Sequence, residues 1–382
     1  MTNSNNFFDY LNNNSNDIQN LNWDRANRII ENATKESILR VLSKDRITFD
    51  DFLELISPKA LDFLPLIATK ANSITIKRFG RVINLYAPIY LSNECTNSCT
   101  YCRFNHNNLI ERKTLTHNEA NSEMEVLKSK GFDSIILLTG EAPAVVSYSY
   151  IKDMVVLAKK YFTYISLEVY PMSNEEYSGL VDVGVSGLTI YQETYNQESY
   201  KTFHKRGKKS SYQWRLNTPD RAFQGGVRKV GIGALLGLYD FRFETFMLAN
   251  HLLYLQKRYH KGELAVSFPR INSIGDSFSI PSKVSDKELI LIISALRLLF
   301  EDIPFVLSTR ERAAFRDNLI FFCMTHVSAG AKTNPGGYSI GCDSGTQFDV
   351  SDERNVEEIV KLINDNLYDV AFKDWDSNFL RI

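Results

Sequence analysis

The feature that most constrains the fold is an alternation, from about residue 82 onward, of short apolar runs with longer amphipathic stretches. The apolar runs, rich in Ile, Val, Leu and Tyr, lie at 83–91, 134–139, 164–169, 187–191, 229–236, 264–268, 305–308 and 326–329. Helical patterns lie between them at 118–130, 150–161, 174–183, 243–259 and 286–300. Nearly continuous apolar strands are typical of a parallel sheet covered on both faces. The alternation predicts an α/β fold, a (β/α)8 barrel of the TIM type rather than an open doubly wound sheet.

The segments on either side of the predicted barrel, 82–330, have different patterns. The first twenty residues are rich in Asn and poor in apolar positions, as in a mobile leader, and 24–70 has a helical pattern. We therefore expect residues 1–81 to form a leader and an N-terminal helical layer. Residues 331–382 are expected to form a C-terminal extension that packs on the barrel.

Charge and hydropathy exclude two classes of partner. The chain has 44 basic and 45 acidic residues, for a net charge of −1, without the basic surplus that nucleic-acid binding requires. The longest apolar stretch, 289–300, is interrupted by Ser294 and Arg297 and is too short to cross a bilayer. Residues 1–10 lack the basic and apolar regions of a signal peptide. We expect a cytoplasmic protein that binds neither nucleic acid nor a membrane.

Three of the five cysteines lie within eight residues: Cys95, Cys99 and Cys102. A secreted disulfide scaffold would be shorter and richer in cysteine, so this cluster indicates metal or redox chemistry in a reducing compartment. Cys323 and Cys342 stand alone, and each is expected to act as a small buried apolar residue.

Two kinds of metal site are compatible with these three thiols. Three thiolates on one compact loop can ligate three irons of a [4Fe–4S] cluster, leaving the fourth iron free to bind a small molecule. The alternative is a zinc ion held by the three cysteines and completed by His106. The spacing of three and then two residues, directly after the first predicted strand, favours the cluster.

Charged residues recur where predicted strands end. Gly140 and Glu141 follow the second strand, Glu168 and Glu193 lie near the ends of the third and fourth, and Arg310 follows the seventh. In a barrel these ends converge on the C-terminal rim, where active sites are built. Glu168 interrupts an apolar run, where an unpaired carboxylate is costly, so a buried Lys or Arg partner is the alternative to a ligand role. Arg310 suits a substrate carboxylate, which prefers a bidentate guanidinium.

The cysteine loop resembles that of the radical S-adenosylmethionine (SAM) enzymes, and further segments resemble their aromatic amino-acid lyase branch. These segments are 89–93 (IYLSN), 112–115 (RKTL), 138–141 (LTGE), 191–195 (YQETY), 214–216 (WRL), 218–221 (TPDR), 266–270 (VSFPR), 308–311 (STRE) and 373–376 (KDWD). Within that branch the chain is most similar to the tyrosine lyases of thiamine thiazole biosynthesis, the 2-iminoacetate synthase family. The similarity covers about residue 82 to the C-terminus.

This resemblance implies one [4Fe–4S] cluster and SAM as cofactors. It implies that SAM is cleaved to methionine and a 5′-deoxyadenosyl radical, which takes a hydrogen atom from the amino group of L-tyrosine. The Cα–Cβ bond then breaks to give 2-iminoacetate and p-cresol. The implied partners are a thiazole synthase and a flavodoxin- or ferredoxin-type electron donor. A tryptophan lyase of the same branch is one alternative, and a zinc-binding regulatory or scaffold protein is another.

The resemblance also assigns SAM contacts to five residues. Tyr101 would pack the adenine, Glu141 would hold the amino group, Glu168 would accept from the ribose hydroxyls, and Glu193 and Arg215 would contact the amino-acid moiety. Ordinary alternatives stay open, namely loop packing for Tyr101, a solvated carboxylate for Glu141 and a structural ion pair for Arg215.

Three further residues would contact the amino-acid substrate by the same resemblance: Arg310, Ser328 and Tyr90, the last with an ordinary strand aromatic as its alternative. The sequence departs from the family at Arg103, where glycine is common, and at 142–143, where a His is frequent. The related enzyme that makes ligands for the [FeFe]-hydrogenase cofactor carries an additional C-terminal cysteine motif. Residues 375–382 contain none, which disfavours that function.

Overall fold

The structure, a computed structural model, describes residues 6–14, 21–272, 278–341 and 345–374. Within these residues eight parallel strands close into a barrel, since each strand pairs with the next and β1 pairs with both β2 and β8. The strands are β1 (Val82–Ser92), β2 (Ser134–Thr139), β3 (Tyr164–Glu168), β4 (Gly187–Glu193), β5 (Lys229–Ala234), β6 (Glu263–Ser267), β7 (Phe305–Leu307) and β8 (His326–Ser328). The predicted barrel and its eight strands are confirmed.

The described helices surround this barrel. They are α1 (Phe7–Asn14), α2 (Trp23–Glu31), α3 (Lys35–Leu42), α4 (Phe49–Leu55), α5 (Leu64–Phe79), α6 (His117–Ser129), α7 (Tyr148–Ala158), α8 (Asn174–Val183), α9 (Gln197–Phe203), α10 (Tyr212–Leu216), α11 (Thr218–Gln224), α12 (Phe241–Arg258), α13 (Asp286–Leu299), α14 (Ala313–Phe322) and α15 (Val356–Asp365). The five predicted barrel helices correspond to α6, α7, α8, α12 and α13. The short helices between β4 and β5 lacked a predicted pattern.

Local capping fixes where several barrel helices begin. A hydroxyl side chain caps each of three barrel helices: Thr116 before α6, Ser173 before α8 and Ser285 before α13. Each hydroxyl accepts from the backbone N–H three residues later, and the N–H of each capping residue donates to the carboxylate at that later position. Such capping boxes satisfy backbone groups that the first helical turn leaves unpaired. Each helix therefore starts at a defined point after its strand, which fixes the length of the rim loop between them.

The barrel axis holds a cavity instead of a solid apolar core. Along β1, Tyr86, Pro88 and Tyr90 line this cavity, whereas Ala87 and Ile89 are buried in the core outside the barrel wall. This alternation follows from the period of two in a strand. Polar residues on the inner face of the barrel thus have room for a ligand between them.

The expectation of a mobile leader is wrong for the described part of it, residues 6–14. The Phe7 ring is fully buried and stacks on the His251 ring with centroids 4.0 Å apart. The backbone N–H groups of Phe7 and Phe8 donate to Asp220 at 3.1 Å and to Asn217 at 3.0 Å. The amino-acid composition did not predict this helix, because one buried aromatic ring and two backbone hydrogen bonds at its first residues anchor it.

The N-terminal helical layer packs on the outer wall of the barrel, where α5 contacts α13 and α14. A ninth strand, β9 (Asp369–Ala371), pairs with the start of β1 outside the barrel. Cys323 is fully buried, as expected, and Cys342 lies outside the described residues. Among the described residues, no helix combines the length and the apolar character needed to cross a membrane.

Candidate active site

The cysteine loop follows β1 and is held by contacts on both sides. Asn97 donates from Nδ2 to the Glu141 carboxylate at 2.7 Å, and the Thr96 N–H donates to the Glu141 carbonyl at 2.9 Å. Farther along, Arg112 donates to the carbonyl oxygen of Asn93 at 2.7 Å. These contacts fix the backbone that carries the three cysteines.

The three thiols lie in apolar surroundings. Cys99 is buried, and Cys95 and Cys102 are half-buried. Burial raises the pKa of the Cys99 thiol to about 12 and the pKa of Cys102 to about 11, although nearby Lys209 opposes both shifts. The Cys102 N–H donates to the Cys99 carbonyl at 3.2 Å, and the Cys95 and Cys102 side chains pack against the same apolar cluster. A coordinated metal reverses this balance, because coordinating thiols are deprotonated.

Within the part of the chain that the structure describes, His106 does not complete a zinc site with the three cysteines. Among the described residues, no three His, Cys, Asp or Glu side chains converge closely enough to hold one metal ion. His106, the expected fourth zinc ligand, is exposed. Three thiolates on one compact loop can ligate three irons of a [4Fe–4S] cluster and leave the fourth iron free.

Gly140 allows the end of β2 to approach the cysteine loop. A Cβ at this position would overlap the carbonyl oxygen of Glu94 and lie 3.2 Å from Cβ of Cys95. The next residue, Glu141, is buried and accepts from Asn97. Its carboxylate therefore supports the cysteine loop, and its role toward SAM stays a prediction.

Two cavities meet at the rim. The outer cavity is lined by Tyr101, Cys102, Glu193 and Lys209, among others. The inner cavity runs down the barrel axis and encloses about 1270 Å³, including its open mouth. The residues that line both are Glu168, Tyr191, Pro269, Arg310 and Phe348. A ligand beside the cysteine loop would therefore lie next to a second ligand inside the barrel.

Glu193 carries a full negative charge at the end of β4. Its Oε1 accepts from Lys209 Nζ at 2.6 Å and from Arg215 Nη2 at 3.1 Å. Burial alone would raise the pKa of Glu193, but the two cations outweigh burial and hold the pKa at about 2. Arg215 also donates to the Tyr191 carbonyl at 2.6 Å, so it forms the structural ion pair that was its alternative role. Lys209, which the sequence did not single out, lines the outer cavity instead.

Tyr101 is fixed by a neutral histidine. Its hydroxyl lies 2.7 Å from Nε2 of His204, and the His204 Nδ1 lies 2.8 Å from the Tyr200 carbonyl. Burial lowers the pKa of His204 to about 3, so the ring is uncharged at neutral pH. The network then requires Nδ1–H to donate to the carbonyl and Nε2 to accept from Tyr101. Tyr101 thus presents a rigid aromatic face to the outer cavity.

Glu168 ends β3 at the junction of the two cavities. Burial raises the pKa of its carboxyl to about 7; Arg310 opposes this shift and Glu193 adds to it. Within the described part of the chain it forms no ion pair, so the buried Lys or Arg partner considered above is not found. The carboxyl group is available to a ligand from either cavity.

Arg310 follows β7 and faces the same junction. The carbon of its guanidinium lies 3.5 Å from the centre of the Phe348 ring. Its side chain has no hydrogen bond or ion pair with any residue that the structure describes. The N–H groups of Arg310 are therefore free to bind a carboxylate.

Tyr90 and Ser328 lie inside the inner cavity. The Tyr90 hydroxyl donates to Oε1 of Gln347 at 2.7 Å. The Ser328 hydroxyl is buried, and it makes no hydrogen bond of normal geometry to a described residue, although it lies near the Tyr86 hydroxyl. A buried hydroxyl without a partner is unfavourable, so Ser328 offers a contact that a ligand can complete.

Comparison with known proteins agrees with this geometry. The model of the radical SAM superfamily matches residues 89–248, and that of the biotin and thiamin synthesis associated domain matches 267–369. The 2-iminoacetate synthases of Salmonella typhimurium strain LT2 and Escherichia coli strain K12 are each 38% identical over 358 residues, which are 94% of this chain and 95% of theirs. The chain belongs to the 2-iminoacetate synthase family of radical SAM enzymes.

A solved structure of the same superfamily has a closely similar fold. The crystal structure of HydG, a maturase of the [FeFe]-hydrogenase, matches this radical SAM chain with a TM-score of 0.88 at 29% identity. The match covers 96% of this chain and 82% of that chain. Radical SAM enzymes bind a [4Fe–4S] cluster and SAM. The three-thiol loop and the outer cavity beside it fit both groups.

Several side chains of this radical SAM site were not predicted. Lys209 lies in the basic run 205–209, and such a run is typical of a solvated loop. No sequence pattern indicated that His204, Gln347 or Phe348 belongs to the site. The departure at Arg103 has a structural explanation, since Arg103 pairs with Asp349 at 2.6 Å. Among the described residues, none that precedes β1 lines either cavity.

Proposed function

We propose that the protein is a lyase that cleaves the Cα–Cβ bond of L-tyrosine to 2-iminoacetate and p-cresol, for assembly of the thiamine thiazole. SAM would be converted to 5′-deoxyadenosine and methionine. The observation that carries this proposal is the junction of the two cavities. There Arg310, which has no ion pair with any described residue, faces an aromatic-lined barrel next to the cysteine loop. The identity to 2-iminoacetate synthases supports the same reaction.

Cys95, Cys99 and Cys102 would hold the cluster, and the outer cavity would hold SAM. When bound, the cluster and SAM supply the one-electron chemistry that removes a hydrogen atom from the substrate. Tyr101 would pack the adenine, and Glu168 would accept from the ribose hydroxyls, as carboxylates do in charge-assisted hydrogen bonds. Glu193 and Arg215 would contact the amino-acid moiety of SAM, and Lys209 keeps Glu193 ionised in the cavity wall.

Three residues would hold tyrosine in the inner cavity. Arg310 would bind its carboxylate through two parallel N–H donors, because a planar guanidinium matches that geometry. Ser328 would donate its unpaired hydroxyl, and Tyr90 would contact the amino-acid end. Orientation matters as much as affinity, because the amino hydrogen and not the Cα hydrogen must face SAM.

The protein would act in the cytoplasm with a flavodoxin- or ferredoxin-type electron donor, since a thiolate-held cluster needs a reducing compartment. A thiazole synthase would receive the unstable imine. Tryptophan is the alternative substrate, because the inner cavity is wide and its lining includes small residues such as Gly231 and Ala265.

The deciding experiment is anaerobic turnover of the reconstituted protein with SAM and a reductant, with tyrosine and tryptophan offered separately. Release of p-cresol from tyrosine, with no cleavage of tryptophan, supports the proposal. Cleavage of tryptophan alone would reassign the substrate. Cleavage of neither, with SAM consumed, would refute the lyase function.

Cysteine variants provide a matched control for the same assay. Cys99→Ala should abolish SAM cleavage and lower the iron content, whereas Cys323→Ala, a substitution of an isolated buried thiol, should retain both. Full activity in Cys99→Ala would contradict the cluster assignment.

A further inference from the structure

The segment 345–352, which we call the mouth segment, lies across the junction of the two cavities. Gln347, Phe348, Asp349 and Ser351 of this segment line the outer cavity, and Phe348 also lines the inner one. The segment has neither helix nor strand, so its position depends on its contacts with the rim.

One set of contacts fastens the mouth segment to the cysteine loop. Arg103, which follows the third cysteine, donates from both terminal nitrogens to the two carboxylate oxygens of Asp349, at 2.6 and 2.7 Å. The same guanidinium donates to the Thr346 hydroxyl at 3.3 Å. A bidentate pair fixes direction as well as distance.

A second set fastens the segment to the barrel strands that carry the substrate residues. The Ser351 N–H donates to the carbonyl of Thr309, next to Arg310, at 3.0 Å. Asp352 accepts from Arg316 at 2.7 Å, and both of these side chains are buried. Arg316 in turn donates to the carbonyl oxygen of Ser328. The mouth segment therefore joins the cysteine loop to the ends of β7 and β8.

Between these two sets of contacts, the Phe348 ring packs against the guanidinium of Arg310. A cation over an aromatic face is attracted by the ring quadrupole, and the contact strengthens when water is excluded. The guanidinium carbon lies 3.5 Å from the centre of the ring, which is direct contact. Since no other described residue holds this side chain, Phe348 restricts its rotamers.

We infer that Phe348 is a positioning residue that acts through Arg310 on the substrate carboxylate. This inference rests on the proposed function, because it takes an amino acid as the ligand of the inner cavity. The aromatic face holds the guanidinium edge toward the cavity, so that a carboxylate meets two aligned donors. The Arg103–Asp349 pair keeps Phe348 at a fixed distance from the cysteine loop.

Equilibrium binding tests the inference with two probes, L-tyrosine and tyramine, which lacks the carboxylate. Binding is measured by calorimetry on the cluster-loaded protein with SAM and without reductant. Phe348→Leu should weaken tyrosine binding about 3- to 30-fold, in line with the range of cation–π contacts, and leave tyramine binding nearly unchanged. Phe348→Tyr should restore tyrosine binding. A matched control is Tyr368→Leu, which removes an aromatic ring beneath Arg81 at the far end of β1, 5.6 Å from its guanidinium, and should change neither affinity.

The outcomes separate this inference from the proposed function. An equal loss of tyrosine and tyramine binding in Phe348→Leu would mean that the ring only packs against the substrate, and would overturn the positioning role while the lyase proposal stands. Wild-type binding of both probes by Phe348→Leu would overturn it as well. Failure of the wild-type protein to bind tyrosine would overturn both proposals. Iron content is measured in each variant, so that a folding defect is recognised.

Discussion

Lys209 Nζ lies 2.6 Å from Oε1 of Glu193, in the wall of the cavity beside the cysteine loop. Glu193 is buried and Lys209 is half-buried, and Arg215 shares the same carboxylate oxygen. Because the pKa of Glu193 is held below its ordinary value of 4.5, its contribution to stability is present above that pH and is lost as the pH falls toward 2.

Replacing Lys209 by Met should therefore destabilise the protein by about 1.5–3 kcal/mol, since a charged hydrogen bond is lost while Arg215 remains. Denaturant unfolding at neutral pH measures this change, and calorimetry should show weaker SAM binding with the iron content unchanged. Lys201→Met removes a comparable contact to Glu198 on an exposed helix and serves as the control. Equal behaviour of the two variants would contradict a role for Lys209 in the site.

Glu141 can be tested with two substitutions of different geometry. Glu141→Gln keeps an oxygen that can accept from Asn97, so the cysteine loop and its iron should be retained. The lost charge should weaken SAM binding, because a charge-assisted hydrogen bond is about twice as strong as a neutral one. Glu141→Ala removes the acceptor as well and should lower the iron content. Iron loss in Glu141→Gln would mean that the residue has only a structural role.

The raised pKa of Glu168 predicts that SAM binding depends on pH. The pKa of its carboxyl is raised to about 7, mainly by burial, so this group gains its charge between pH 6 and 8. The ribose hydroxyls donate better to the ionised form, and SAM affinity should rise over that window. The Glu168→Gln variant should bind SAM more weakly and show a flat profile. An unchanged slope in that variant would assign the pH dependence to another group.

Arg310→Lys should retain the cluster and cleave SAM slowly, but with little p-cresol formed per 5′-deoxyadenosine. Lys keeps the charge but lacks the planar fork, so the substrate would be held in the wrong orientation. Complete loss of a desolvated ion pair would correspond to about 3–5 kcal/mol, a factor of roughly 10² to 10⁴ in apparent affinity or rate, and sets the upper limit for this variant. Both products are measured in one assay. A wild-type ratio with unchanged tyrosine dependence would remove Arg310 from the substrate site.

The barrel and much of its rim were predictable because they depend on local patterns. Short, nearly continuous apolar runs define strands such as β2 (Ser134–Thr139), and the closed barrel then brings every strand end to one rim. This logic predicted, without any contact information, that Arg310 and Glu168 lie at the same rim. It also located the three cysteines beside them.

Residues that reach the site through contacts with residues far away in sequence are not marked by any local pattern. The hydrogen bond from Tyr90 to Gln347 joins positions 257 residues apart, in a segment without periodic structure. The anchoring of Phe7 depends on Asp220, which is 213 residues away. The periodicity of apolar residues indicates which face of a helix or strand is buried, but it does not indicate which distant segment packs there. For this reason the sequence did not predict the helix α1 or the mouth segment.

The bidentate contact between Arg103 and Asp349 also has a consequence for biosynthesis. The two residues are 246 positions apart, so the ribosome completes the cysteine loop well before it makes the segment that covers it. At about 5–20 residues per second this interval is on the order of tens of seconds. During that time the nascent chain carries its three thiols without the Arg103–Asp349 contact. The three cysteines are therefore synthesised well before the segment that fastens their loop to the end of β7.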